Sequence, residues 1–302
     1  MSYPNKLHLI NQETCIQRLR GSYSGATVYV KRDDLIDFAF GGNKVRMAEY
    51  IGAVALERGC TKIITLGSIH SNHIRVIGCL CNHLGIECDL IILRKSKDAK
   101  IGGNYKLLQQ LKGIHVEYCN SDEAHDFIDC HLANQDSKQI NYFWVPGGGH
   151  MVEAAYGYRD AAKEILRQQE TIGVRFDAVF LPCGTGTTQA GLIMGFKDTD
   201  VDILGITVAR PVERCKNVIT SLLQKSDEKT VKWNVNVLES SIPYGETSDA
   251  VVEVVRALAQ NDGLFLDPVY NAKSFWGMTE YLKNHHYANV LYINTGGTPN
   301  IF

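Results

Sequence analysis

The chain has 302 residues, 45% of them hydrophobic and 21% charged, and 31 basic residues stand against 33 acidic ones. Such a composition buries ample apolar surface, which excludes disordered, collagen-like, coiled-coil and low-complexity classes. A net charge of -2 argues against a nucleic-acid or anionic-membrane surface, while a small anionic ligand in a local basic pocket stays open.

Length allows about two domains at roughly 150 residues each. Nine cysteines at irregular spacings, in a chain too long to need disulfide staples, read as free thiols. Cys79, Cys81 and Cys88, with His83 among them, raise a zinc site. The C-x-C spacing is wrong for a knuckle and no second pair follows at finger distance, so buried thiols and no metal are expected. The N-terminus, MSYPNKLHLINQETC, has no apolar run of signal-peptide length, and no stretch reaches the roughly 18 apolar residues of a membrane span. The expectation is a cytoplasmic protein with neither membrane nor nucleic-acid partners.

In chain order, short β-branched runs occur at TVYVK (27–31), TKIITLG (61–67), CDLIILR (88–94), HVEYC (115–119), DAVFLP (177–182), VDILGITV (201–208) and NVLYIN (289–294). Each is bounded by Gly, Pro or polar residues, as buried parallel strands are. Between them, amphipathic stretches from Arg46 to Arg58, Asn72 to Leu84, Gly103 to Leu111, Val152 to Gln169 and Ser248 to Asn261 read as helices. Strand and helix in alternation imply parallel sheets with right-handed crossovers, hence an α/β fold. The alternation falls into two blocks, giving a large domain of 1–46 plus 156–302 and a small domain of 47–155. Glycines 147–149 would form the hinge, and the active site would lie in the cleft. Lys-Ser-Lys-Asp at 95–98 reads as a solvated loop.

Four segments carry chemistry. Cys183-Gly-Thr-Gly-Thr-Thr-Gln-Ala-Gly-Leu192 follows a strand and opens a helix, so its amides and threonine hydroxyls make an anion cradle. Gln189 stands where a dinucleotide fingerprint needs its third glycine, and the Gly-Lys-Ser/Thr ending of a P-loop is missing. A tight turn without a ligand would give the same pattern. Lys44, after Phe40-Gly-Gly-Asn, starts a helix where it could be held rigidly; an amine of depressed pKa there forms Schiff bases, whereas an ordinary exposed lysine would not. In Gly67-Ser-Ile-His-Ser-Asn-His-Ile-Arg75, Ser71 and Asn72 fit either helix capping or ligand binding. Asp267-Pro-Val-Tyr270 and Asn294-Thr-Gly-Gly297 complete the set, and such loops converge beyond the carboxyl ends of strands in open sheets.

Taken together and in order, VKRDDL, GGNKVR, SIHSNHIR, CGTGTTQAGL, LDPVY and NTGG resemble the pyridoxal-phosphate enzymes of fold type II, in the branch of D-cysteine desulfhydrase and 1-aminocyclopropane-1-carboxylate deaminase. The resemblance implies two open twisted sheet domains of the tryptophan synthase β-like kind, a bound pyridoxal 5'-phosphate and a homodimer. It implies that Lys44 holds the cofactor as a Schiff base and moves the α-proton, and that Asn72 meets the cofactor's phenolic oxygen. Cys183, Gly184, Thr185, Gly186, Thr187 and Thr188 would form the phosphate loop, and Thr295 would face the pyridine nitrogen. Ser71 and His73 would take the substrate carboxylate, and Tyr270 and Tyr244 would stand over the substrate as proton donor or nucleophile.

Three departures fall at positions read as substrate-facing. Asn271 follows Tyr270, where ring-opening deaminases carry glutamate and desulfhydrases threonine. His73 replaces the usual glutamine, and the Pro243–Glu246 segment is shorter than usual. A neutral Asn271 suits β-elimination better than opening a cyclopropane. The expected activity is therefore a lyase on a small β-substituted amino acid, with D-cysteine giving sulfide, pyruvate and ammonia. Cyclopropane deamination, elimination or β-replacement on another amino acid, and an inactive binding homologue remain as alternatives; a dinucleotide oxidoreductase is weakened by Gln189.

Overall fold

A computed structural model describes residues 6–93, 103–133, 140–208, 210–227, 233–240, 242 and 246–301. Its strands are β1 (Ile16–Arg18), β2 (Thr27–Lys31), β3 (Lys62–Gly67), β4 (Glu87–Leu93), β5 (Ile114–Cys119), β6 (Tyr142–Val145), β7 (Ala178–Cys183), β8 (Asp202–Thr207), β9 (Asn236–Leu238) and β10 (Asn289–Ile293). The helices are α1 (Asn43–Glu57), α2 (Asn72–Leu84), α3 (Gly103–Leu108), α4 (Ala124–Ala133), α5 (Val152–Ile172), α6 (Thr187–Gly195), α7 (Val212–Lys225), α8 (Asp249–Asp262) and α9 (Asn271–Leu282).

Two sheets result. The six-stranded one runs β1-β2-β10-β7-β8-β9 and the four-stranded one β5-β4-β3-β6. All pairings are parallel except that of β1, which meets β2 antiparallel at the sheet edge with Gln17 opposite Val30. The fold is thus mixed α/β with two parallel-dominated sheets, and N-terminal β2 does lie inside the sheet built mainly from the C-terminal half. A single apolar cluster reaches from Ile63 and Val145 in one sheet through Ala154, Tyr158 and Leu192 to Val179 and Leu291 in the other.

Seven strands fall where the β-branched runs place them. β1, β6 and β9 carry too few residues for a period to show. Helix α2 has the predicted limits because both ends are marked: Ser71 accepts from the His73 amide at the start, and Gly85 closes the other end at φ 69°. Helix α9 gave no stripe to read because it is buried nearly all round, at Asn271, Ala272, Lys273, Ser274, Phe275 and Met278. Helix α4 hides only Ala124 and Ile128, which leaves an equally faint pattern. The tract at 95–98 lies outside the described residues.

Candidate active site

The carboxyl ends of β2, β3, β6, β7 and β10 release loops toward one solvent-open cleft of about 610 Å³ between the two sheets. Lys44, Ser71, Asn72, His73, Gly148, Cys183, Gly184, Thr185, Gly186, Thr188, Tyr270 and Thr295 line it. Sequence-distant motifs meet there because parallel strands deliver their loops to the same edge.

Lys44 owes its place to a turn of left-handed residues. Ala39, Phe40, Gly41 and Gly42 all have positive φ, at 50°, 59°, 65° and 97°. Gly42 is compulsory: a Cβ there would stand 2.6 Å from the Thr295 carbonyl oxygen. The Gly42 amide donates to Asp33 O at 2.7 Å and that of Asn43 to Thr295 O at 3.0 Å, so the turn is sewn to the exits of both β2 and β10. Buried Arg75 on α2 clamps the outside, donating to the carbonyls of Ala39 and Gly41. The Lys44 amine donates to Gly148 O at 2.8 Å. Burial, helped by the charge of Arg210, lowers its pKa to about 8, so a sizeable neutral, nucleophilic fraction exists near neutrality.

The anion cradle is built as the glycines require. Gly186 is the left-handed N-cap of α6 at φ 86° and brings no capping side chain, so the first-turn amides are left for a ligand. Thr185 and Thr188 add hydroxyls in the wall, and Asn43 Nδ2 fixes Thr188 Oγ1 at 2.9 Å. Thr187 is fully buried behind the wall, 3.3 Å from the Thr185 hydroxyl. A hydrogen bond with Cys215, together with burial, holds the Cys183 thiol protonated. Gln189 is not a failed fingerprint glycine: its amide nitrogen ties the Ile203 and Asn236 carbonyls of β8 and β9.

On the opposite wall, Ser71 Oγ accepts from the His73 amide at 3.2 Å, which leaves its hydroxyl hydrogen and the N-terminus of α2 for a carboxylate. Asn72 Oδ1 accepts from Asn104 Nδ2 at 2.9 Å, so the Asn72 amide nitrogen is the end available to the cleft. Burial, with Lys44 and His150 nearby, pushes the His73 pKa well below its ordinary value.

Asn271 does not face the substrate. It is fully buried, donates to Asp267 Oδ2 and Gly296 O, both at 2.6 Å, and accepts from Thr295 N at 3.0 Å and Thr295 Oγ1 at 3.2 Å. The sequence reading erred because a side chain next to Tyr270 starts helix α9 and turns inward. Its role is to orient Thr295: having given its hydrogen to Asn271, that hydroxyl offers the cleft an acceptor. Tyr270 lies against Gly184, and its amide donates to Asp267 Oδ1 at 2.8 Å. Tyr244 lies outside the described residues. Sequence reasoning missed Asn43, Gly148 and Arg210; Arg210 had a signal, since it follows β8 at the same sheet edge.

Fold and cleft together bring to one place an amine of lowered pKa, an uncapped helix start suited to an anion, and hydrogen-bonding groups between them, a set that suits a phosphorylated aldehyde. The family described as pyridoxal-phosphate dependent enzyme matches residues 9–296, and the chain belongs to that family. It is 34% identical to a Pyrococcus abyssi protein named "Putative 1-aminocyclopropane-1-carboxylate deaminase", over 98% of this chain and 93% of that one. It is 31% identical to the D-cysteine desulfhydrase of Salmonella typhi, over 98% and 95% of the two chains. A crystal structure titled as an ACC deaminase homologue superposes with a TM-score of 0.90 at 31% identity, covering 100% of this chain and 94% of that one. The architecture is that of fold type II enzymes, the cofactor is pyridoxal 5'-phosphate, and the chain is a lyase or deaminase of this branch. No helix among the described residues is long and apolar enough to cross a membrane, and none of their His, Cys, Asp and Glu side chains group in threes to hold a metal.

Proposed function

We propose that the protein catalyses β-elimination from D-cysteine, releasing sulfide, pyruvate and ammonia. Lys44 is the amine that would hold the cofactor, the amides of residues 184–188 with Thr185 and Thr188 its phosphate, Asn72 and Thr295 its ring. The cofactor supplies an electron sink for the carbanion left when the α-proton departs. Lys44 Nζ takes that proton, and its lowered pKa matches the task near neutral pH. Ser71 and the α2 start bind the substrate carboxylate, and Tyr270 covers the substrate from the α9 side.

The observation that carries the elimination reading is Asn271. Its oxygen accepts from the Thr295 amide and hydroxyl, so an uncharged hydroxyl faces the cleft beside it, and the position where ring-opening deaminases carry glutamate brings no carboxylate to the cofactor's ring. The same reading includes a division into 1–46 plus 156–302 and 47–155, supported by the confinement of the four-stranded sheet to residues 62–145, and a cytoplasmic homodimer, which sedimentation would test.

The purified protein is expected to release sulfide and pyruvate from D-cysteine and not from L-cysteine. Turnover of 1-aminocyclopropane-1-carboxylate with silence on D-cysteine would reverse the assignment. Lys44→Ala should abolish the visible absorption of the bound cofactor and its trapping by borohydride; an unchanged spectrum would refute the role of Lys44.

A further inference from the structure

His73 sits in the cleft wall with a proton assignment that its neighbours dictate. Its ring Nε2 lies 2.9 Å from the Thr65 hydroxyl on β3. That hydroxyl has one hydrogen, and it goes to the Val145 carbonyl of β6 at 2.7 Å, an acceptor that has nothing to donate. Thr65 Oγ1 must therefore receive from His73, which fixes the hydrogen on Nε2 and leaves Nδ1 with a bare lone pair. Nδ1 has no hydrogen-bond partner among the described residues. A Cβ on Gly149 would stand 3.6 Å from His73 Nδ1 and Cε1, so this edge of the ring packs beside the Gly149 backbone, and His73 belongs to the cleft lining.

The charged groups facing the ring are Lys44 from α1 and His150 from the loop after β6, both cationic when protonated, and burial adds to them. An imidazolium is thus disfavoured and the neutral tautomer is retained. The ring offers the cleft an acceptor and no donor, which is the wrong polarity for a carboxylate. It is the right polarity for a group with a hydrogen to give.

We propose that His73 selects the substrate's side chain: its Nδ1 accepts a hydrogen bond from a thiol or hydroxyl on the β-carbon and disfavours a β-substituent that is anionic or carries no hydrogen. This rests on the elimination reading and narrows it to β-thiol and β-hydroxyl amino acids. A glutamine here would present either end of its amide; histidine locked by Thr65 presents one.

Two measurements test it. In the 15N-labelled full chain, with and without pyridoxal 5'-phosphate, histidine side-chain NMR is expected to show His73 protonated at Nε2 and bare at Nδ1, and Thr65→Val should admit the other tautomer. A wild-type ring protonated at Nδ1, or at both nitrogens near neutral pH, overturns the proposal. In the holoenzyme, the ratio of kcat/KM for D-cysteine to that for 3-chloro-D-alanine, which eliminates without a donor hydrogen, should fall about tenfold in His73→Phe, the size of one neutral hydrogen bond. His73→Gln, whose carbonyl oxygen can accept, should keep most of the ratio. Equal loss on both substrates in His73→Phe overturns the proposal as well. Silence of the wild type on both substrates would instead bring down the elimination reading, and the substrate class with it, while the tautomer still reports the polarity of the ring.

Discussion

Lys44 differs from an ordinary lysine because of its surroundings. Lysine amines ordinarily titrate near 10.5, and here burial and Arg210 bring the pKa to about 8. Between those values the folded protein holds a neutral amine where the unfolded chain holds an ammonium. The cost of the buried charge is therefore fully present below about pH 8 and disappears as pH rises through that value toward 10.5. Capture of pyridoxal 5'-phosphate by the apo-protein, followed as the rise of its visible absorption, is expected to accelerate with pH and level off above about 8. Arg210→Gln should move the midpoint upward by removing a cation; a wild-type midpoint near that of free lysine would contradict the assigned environment. Asn271 shows the complementary lesson, since a polar side chain one position from a site residue belongs to the interior.

The turn at residues 39–42 and the start of α1 act as one element, and what they rest on comes from the other end of the chain. Gly42 packs on the Thr295 carbonyl with no room for a side chain, and its φ of 97° is one that L-residues avoid. Gly42→Ala is expected to cost about 2 kcal/mol or more, combining the left-handed backbone with an overpacked contact. Urea unfolding would measure it, and cofactor affinity should fall in the same variant because Lys44 moves with the turn. A change under ~0.5 kcal/mol would mean that the contact relaxes at no cost. From the sequence, Gly-Gly-Asn-Lys was legible as a rigid placement of lysine. Thr295–Gly296 as the surface it is pressed against was not, because no local pattern encodes a contact between residues 42 and 295.

At the scale of the molecule, one buried ionic cluster joins the N-terminal segment, α1 and α5. Arg46 donates to Asp33 at 2.8 Å and 2.9 Å and to Glu164 at 2.8 Å, Tyr158 donates to Asp33 at 2.5 Å, and Lys31 pairs with Glu164. Burial opposes ionisation of both carboxyls, but Arg46 and Lys31 outweigh it, and both pKa values end below their ordinary range. Groups with depressed carboxylate pKa values add stability above the unfolded-state values of about 4, and lose it as pH falls through the folded ones. Lys31 is also lowered, burial first, but that change belongs to alkaline pH and leaves the acid window to Asp33 and Glu164. Arg46→Met should destabilise by about 3–5 kcal/mol, because two buried carboxylates lose their main partner. The variant should also lose much of the wild type's acid-dependent unfolding below about pH 4, read by circular dichroism. A variant within ~1 kcal/mol of the wild type would show that the cluster is relaxed by water or by protonation.

The sequence by itself determined the α/β class, seven of the strands, the limits of α2, the glycine-shaped start of α6 and the rigid placement of Lys44, since each depends on local periodicity, a cap, or glycine at a required backbone angle. Only the tertiary structure decided which way Asn271 and His73 present their polar atoms, that Gln189 ties β8 to β9, and that Arg210 sets the charge around Lys44. Those properties depend on hydrogen bonds and fields between residues far apart in the chain. They exist only once parallel strands have carried their loops to one edge.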